Sequence, residues 1–247
     1  NYSEFDPLEN NRQTQIDDFC SVIMEEMSYL PVKTVKISKD NNLKTGYICD
    51  IDRFVVTYFD NKEENIIVKI SNLNNELSKT AKKLNMYENE LYFYKHISHI
   101  LSQVNIPRSY TSFIHEDREV LIMEDLNKYN GCFNIDLNKN VNILMKVIES
   151  VFNMHNVYYF EREKDVINCM KRLHKPIDVT YYSELVKDRY HKFISKNTYI
   201  ISESQKVVLN NIFENYTSLC EQLSKFPLSF CHGDLKSPNI FYKNNTI

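Results

Sequence analysis

Residues Phe230–Tyr242 read FCHGDLKSPNIFY, and they place one of only three glycines in a 247-residue chain between a histidine and an aspartate. Glycine makes up about 7% of an average protein, so a chain this poor in glycine should keep it mainly where φ must be positive or where a side chain does not fit. Gly233 therefore predicts a tightly turned loop whose backbone lies close to neighbouring groups. The loop leads into a strand-like run that starts at Asn239.

Three polar side chains follow this glycine at short spacing, namely Asp234, Lys236 and Asn239. Transfer of a phosphoryl group to a hydroxyl needs a carboxylate that orients the hydroxyl and accepts its proton, and it needs oxygen ligands for Mg²⁺. Asp234 suits the first role and Asn239 suits the second, while Lys236 can neutralise charge on the transferred group. We predict Asp234 and Lys236 as catalytic residues, Asn239 as a magnesium ligand and His232 as a brace for the loop.

A lysine and a glutamate interrupt apolar patterns upstream of this loop. Lys69 breaks the strand-like run Ile66–Ile70, and Glu90 lies on the helical stripe that Tyr87 and Tyr94 define. An unpaired buried carboxylate is costly, so the two charges either pair with each other or each extend to solvent. Separate exposure is the simpler interpretation of these residues alone. Together with the loop, pairing is favoured, because kinases hold nucleotide phosphates with a strand lysine paired to a helix glutamate.

The periodicity of the apolar residues indicates an α+β chain with two lobes. Helical spacing covers 11–30, 76–103, 137–158, 181–195 and 203–225, and strand-like runs cover 32–38, 53–59, 65–70, 109–115 and 119–124. We predict an N-terminal helix within 1–30, an N-lobe over 31–125 with a five-stranded antiparallel sheet and one long helix, and a mostly helical C-lobe over 126–247. The N-lobe would bind the nucleotide, and the C-lobe would carry the loop at 230–242.

Composition excludes several classes of protein. The net charge of −3 gives no reason to expect a nucleic-acid or membrane partner, and no apolar run approaches the roughly 20 residues of a membrane span. The six cysteines are scattered and never form C-x-x-C, which argues against a zinc site and a disulfide framework and fits a reducing, cytoplasmic compartment. The sequence does not indicate an oligomeric state.

Several motifs carry a family resemblance. HGDLKSPNI resembles the catalytic loop H-G-D-x-x-x-x-N of the aminoglycoside phosphotransferase and choline kinase-like enzymes, which share the protein-kinase-like fold. Protein kinases have arginine in place of Gly233, and that arginine pairs with a phosphorylated activation loop, so glycine favours the small-molecule branch. Three further segments resemble the ecdysteroid-kinase-like subgroup: ELYFY at Glu90–Tyr94 resembles its helix, IPRSY at Ile106–Tyr110 its strand entry, and LIMEDL at Leu121–Leu126 its hinge.

The resemblance implies ATP and Mg²⁺ as cofactors and a small-molecule hydroxyl as phosphoryl acceptor. It implies that adenine hydrogen-bonds to backbone groups of Glu124 and Leu126, with Met123 behind the base. Lys69 and Glu90 would hold the phosphates, and Gly46 would lie in the loop that covers them.

The family also has a second metal-binding aspartate on a hairpin after the catalytic loop, whereas no aspartate follows Asp234 in this sequence. We therefore expect a kinase-like body that stops short of this residue. An aminoglycoside, choline, a sugar or a steroid alcohol remain possible acceptors. A catalytically inactive kinase-like binding module and an atypical protein kinase are the alternatives to a small-molecule kinase.

Overall fold

The computed structural model describes residues 7–39, 48–128, 130–131, 139–160, 181–196, 200–226, 229–242 and 247. The chain divides into two compact units, one formed by Asn1–Ser150 with Asp234–Ile247 and the other by Val151–Gly233. The lobes predicted from the sequence, with their boundary near residue 125, remain a prediction.

The first unit contains a five-stranded antiparallel sheet. Its strands are β1 (Val32–Ile37), β2 (Cys49–Tyr58), β3 (Glu63–Ser71), β4 (Ser109–His115) and β5 (Arg118–Glu124), in the order β1-β2-β3-β5-β4. The turn between β4 and β5 has positive φ at both Glu116 and Asp117, which matches the twist of a two-residue hairpin turn. The predicted five strands and the α+β class are confirmed.

Seven α-helices lie within the described residues. They are α1 (Pro7–Glu26), α2 (Glu76–Lys83), α3 (Met86–His96), α4 (Val141–Phe160), α5 (Tyr181–Lys196), α6 (Glu203–Glu214) and α7 (Tyr216–Leu223). Short 3₁₀ turns follow β5 at Leu126–Lys128 and lie in the glycine loop at Ser237–Asn239. A two-residue pair of strands, β6 (Asn130–Gly131) with β7 (Phe241–Tyr242), belongs to the first unit. None of the described helices is long and apolar enough to cross a membrane.

The single long helix predicted over 76–103 is wrong, because the structure has two helices there. Asn85 adopts left-handed backbone angles, with φ of 52° and ψ of 30°, so α2 ends at Lys83 and α3 begins at Met86. Asparagine is one of the few residues apart from glycine that enters this region readily. Ile97 and Leu101 are buried beyond the end of α3, which explains why the apolar spacing continues past the helix.

The sheet packs against helices on both of its faces. One face forms an apolar cluster with Ile23 of α1 and with Met27, which directly follows this helix; the cluster includes residues of β2, β3 and β5 such as Val68. On the other face Cys49 of β2 clusters with Ala81 of α2 and Tyr87 of α3. Because side chains alternate along a strand, the odd-numbered residues of β3 face α2 and α3.

The second unit has its own packed helices. Tyr190 of α5 is buried against Phe213 of α6, with ring centroids 4.2 Å apart, and its hydroxyl donates to Asn210 Oδ1 at 2.6 Å. α6 starts at a capping box in which Ser202 and Gln205 bond reciprocally, as this motif does at helix N-termini. The helix predicted over 203–225 is interrupted at Asn215, which separates α6 from α7.

Candidate active site

The predicted contact between Lys69 and Glu90 is present. Lys69 on β3 donates through Nζ to Glu90 Oε1 on α3, and the two side chains are 24% and 35% exposed. The pair therefore lies at the edge between sheet and helix, screened from water only in part. Its predicted role in holding phosphates remains a prediction.

A small cavity lies beside this pair. Its lining consists of Cys49, Lys69, Ser71, Tyr87, Glu90, Leu91, Glu119 and Leu121. Burial raises the pKa of the Cys49 thiol to about 11, with Lys69 opposing and Glu90 adding to the shift. Cys49 is thus a neutral thiol at physiological pH and a packing residue beside the two charges.

A buried carboxylate near this cavity was missed by the sequence analysis. Glu119 of β5 accepts from Ser71 Oγ at 2.6 Å and from Lys82 Nζ of α2, and its backbone N–H donates to Ser71 Oγ at 3.0 Å. Burial opposes ionisation of this carboxyl, but the hydrogen bonds from Lys82 and Ser71 outweigh it and hold the pKa of Glu119 below its ordinary value. Glu119 is therefore ionised and links three elements.

The three predicted adenine-binding residues lie at the end of β5. Met123 is in register with Ile67, two residues before Lys69, so Met123 lies on the same face of the sheet as Lys69. The backbone N–H of Glu124 donates to the carbonyl of Arg108 at 2.9 Å, and Leu126 opens the 3₁₀ turn. The adenine contacts assigned to these three residues remain predictions.

An ion pair between β2 and the segment after β5 was also missed. Arg53 Nε lies 2.7 Å from Asp125 Oδ2, with side chains that are 13% and 6% exposed. The other oxygen of Asp125 accepts from the backbone and side-chain nitrogens of Asn127 at 2.9 and 2.7 Å. The Asp125 carboxylate thus fixes the start of the turn that carries Leu126. The sequence did offer a signal for this pair, because Arg53 places a charge in the apolar run RFVVTYF. The same kind of signal identified Lys69.

The structure brings the three predicted loop residues together. Asp234 Oδ2 lies 2.9 Å from Lys236 Nζ, and Asn239 Nδ2 donates to the Asp234 carbonyl at 2.8 Å and to Asp234 Oδ2 at 3.2 Å. The 3₁₀ turn at Ser237–Asn239, with Pro238 fixing φ, folds Asn239 back toward Asp234. All three side chains are exposed. The cluster is therefore open to a ligand.

This arrangement fits a magnesium ion bound together with a nucleotide. The amide nitrogen of Asn239 donates to Asp234, which leaves the side-chain oxygen as the atom that would ligate a metal. Magnesium takes one or two protein oxygens when phosphates and water supply its other ligands. Within the described part of the chain, no group of three or more histidine, cysteine, aspartate or glutamate residues forms a metal cluster.

One reason given for Gly233 is confirmed and the other is wrong. Its φ is +82°, a conformation that favours glycine, but an added Cβ would have no described heavy atom within 4 Å. The glycine therefore permits the turn, and among the described residues it makes room for no neighbour. The strand predicted from Asn239 is shorter than expected, because the 3₁₀ turn extends through Asn239 and only Phe241–Tyr242 is extended. Gly46 lies outside the described residues.

The chain was compared with curated protein sequences and with solved structures. No curated protein sequence is significantly similar to the chain. A ternary complex of a thermostable mutant of aminoglycoside phosphotransferase APH(4)-Ia with AMP-PNP and hygromycin B is similar with a TM-score of 0.48 and 12% identity, covering 94% of this chain and 68% of the other. The apo form of such a mutant has a TM-score of 0.46 and 10% identity, covering 92% of this chain and 68% of the other.

The ecdysteroid kinase-like family matches residues 45–246. This segment includes β2 to β5, the Lys69–Glu90 and Arg53–Asp125 pairs and the loop around Asp234. This match covers most of the chain, and the family is one of small-molecule kinase-like proteins. The chain therefore belongs to the ecdysteroid kinase-like family.

Proposed function

We propose that this protein is an ATP-dependent kinase that transfers the γ-phosphoryl group to a hydroxyl of a small molecule. The observation that carries the proposal is the cluster of Asp234, Lys236 and Asn239, in which a carboxylate, a cation and a side-chain amide meet at one exposed loop. Membership in a kinase-like family supports this reading of the cluster.

Each residue of the cluster has a chemical role in this reaction. Asp234 orients the acceptor hydroxyl and takes its proton as the oxygen bonds to the γ-phosphorus and ADP leaves. Lys236, which contacts Oδ2 of Asp234, offsets negative charge on the transferred phosphoryl group. Asn239 is the residue that would ligate magnesium, and magnesium, when bound, neutralises the charge of the phosphates.

The sheet of the first unit binds the nucleotide in this proposal. Lys69, held by Glu90, contacts the phosphates, and Gly46 lies in the loop that covers them. The carbonyl of Glu124 and a backbone group of Leu126 bind adenine, with Met123 packed behind it. The acceptor is an alcohol such as an aminoglycoside, choline, a sugar or a steroid alcohol. The four cysteines that the structure describes are free, which fits a reducing, cytoplasmic setting.

Substitution of Asp234 tests the proposal. In the full-length protein, Asp234→Asn keeps the size of the side chain and removes the base, so phosphoryl transfer should fall about 10²–10⁴-fold. Nucleotide affinity should change little, because the Lys69–Glu90 pair and the hinge remain. Asn239→Ala should instead weaken binding of Mg²⁺-ATP more than binding of free ATP.

The assay follows ATP-to-ADP conversion with pools of metabolites and, separately, with generic protein substrates. Transfer to a metabolite that is lost in Asp234→Asn supports the proposal. A wild-type protein that binds Mg²⁺-ATP and shows no transfer to either class would be an inactive binding module. Transfer to proteins alone would make it a protein kinase.

A further inference from the structure

The register of the sheet places Glu119 beside the lysine assigned to the phosphates. Lys69 on β3 is the partner of Leu121 on β5. Ser71 lies two residues after Lys69, and Glu119 lies two residues before Leu121. Since alternate residues of a strand face the same side, all four side chains lie on the face that carries α2 and α3. The Glu119–Ser71 contact therefore lies beside the Lys69–Leu121 pair, and the residues of both pairs line one cavity.

Glu119 is also connected, through Lys82 of α2, to the start of α3. Its second partner, Lys82, is in the last turn of α2, and α3 starts at Met86 after the left-handed residue Asn85. Glu90 follows in the second turn of α3. A contact that fixes the end of α2 to the sheet thus fixes the start of α3 as well, because only a short turn separates the two helices.

The burial of Glu119 makes this contact dependent on all of its partners. Its side chain is only 3% exposed, whereas that of Lys82 is 42% exposed. A carboxylate this deeply buried needs compensating hydrogen bonds. An apolar residue of similar size would stabilise the protein about equally well. Its placement between the sheet and the helix pair therefore points to a role in geometry.

We infer that Glu119 is a positioning residue for phosphate binding: by holding Ser71 of β3 and Lys82 of α2 at once, it keeps Glu90 in contact with Lys69. The inference rests on the proposed function, since it takes Lys69 to be the residue that binds the phosphates. Without the Glu119 carboxylate, the start of α3 can move away from β3. The phosphate contacts weaken, while the base site at the end of β5 is unchanged.

Calorimetry with Mg²⁺-ATP and with adenosine separates these two parts of the site. In the full-length protein, Glu119→Gln should lower the Mg²⁺-ATP affinity by about 10- to 100-fold, which corresponds to the loss of one hydrogen bond to a charged group. Adenosine affinity should change less than about 2-fold. Lys82→Gln should act in the same direction. Lys82→Arg keeps the charge and should restore the wild-type ratio of the two affinities.

Two controls separate positioning from general destabilisation. Glu76→Gln also removes one carboxylate charge, but from the exposed pair that Glu76 forms with Lys79 on α2. Val56→Ala loosens the apolar cluster on the opposite face of the sheet. Both should keep the wild-type ratio of ATP to adenosine affinity. A shift of that ratio in Val56→Ala as large as in Glu119→Gln would show that the effect is unspecific and would overturn the inference.

The remaining outcomes distinguish this inference from the proposed function. Failure of the wild-type protein to bind Mg²⁺-ATP overturns the proposed function and this inference with it. If Lys69→Met loses ATP affinity but Glu119→Gln and Lys82→Gln keep it, only the positioning role of Glu119 is overturned. If Glu119→Gln does not fold, Lys82→Gln decides the question, because its half-exposed side chain is the less costly one to replace.

Discussion

The ion pair between Arg53 and Asp125 predicts a large loss of stability when Asp125 is replaced by alanine. A hinge that contacts adenine only through its backbone would tolerate this change. In the structure, however, Asp125 is 6% exposed and its carboxylate contacts a guanidinium that is 13% exposed. Removing one partner of a buried pair costs about 3–5 kcal/mol, because the charge that remains is shielded from water and has lost this counter-ion.

The hydrogen bonds to Asn127 add little to this cost. Asn127 is exposed, so water replaces the carboxylate as acceptor for its nitrogens. Asp125→Asn keeps the shape and an acceptor for Asn127 but loses the charge, so we expect its cost to be close to that of alanine. Replacing both partners, as in Arg53→Met with Asp125→Leu, should recover part of the loss, because no buried charge is left.

Hydrogen exchange of peptides from β2 and β5 is the suitable measurement. A chain with two compact units is not expected to unfold in one step, whereas exchange reports the opening of each segment. A loss of 3–5 kcal/mol corresponds to exchange that is faster by about two to three and a half orders of magnitude. The control is Glu76→Ala, which breaks an exposed pair and should cost about 0–1 kcal/mol. Equal effects of Asp125→Ala and Glu76→Ala would refute the reasoning.

Two further predictions concern the other charged contacts of the sheet. A double-mutant cycle of Lys69→Met and Glu90→Gln should give a coupling energy of about 1–2 kcal/mol, between the values for exposed and buried pairs, because both side chains are partly exposed. Additive effects of the two single substitutions would show that the two side chains do not interact. The folded-state pKa of Glu119 lies below its ordinary value of 4.5, so this carboxyl contributes stability above pH 4.5 that is lost as the pH falls through the lower folded value. Acid unfolding of Glu119→Gln should therefore show a shallower loss of stability below pH 4.5, and a slope equal to wild type would contradict this.

The strands could be predicted from the sequence because each signal is local. Runs such as NIIVKI are β-branched and bounded by polar turns, so the five strands were found with small errors at their ends. The break at Asn85 was not found, because the apolar spacing continues through it and asparagine marks left-handed backbone far less strongly than glycine. Only the backbone angles separate α2 from α3.

The charged contacts of the site differ in how visible they are in the sequence. Lys69 and Glu90 stand inside apolar patterns, which made each of them anomalous and suggested the other as its partner. Glu119 stands at the first position of the run EVLIME, where a charge ordinarily marks the solvated end of a strand. Its partners Ser71 and Lys82 are 48 and 37 residues away in sequence, so its burial follows from the packing of α2 on the sheet and from no local signal.

The distribution of charge over the two faces of the sheet separates stability from function. The face against α1 is an apolar cluster that contains Phe54, Val68 and Val120. The residues that alternate with these three in sequence are Arg53, Lys69 and Glu119, so all three charges lie on the opposite face. Apolar side chains would stabilise that face at least as well, since buried ion pairs barely repay their lost hydration. Charged contacts on this face, next to a helix pair and a hinge, therefore suit the nucleotide site proposed above better than they suit stability.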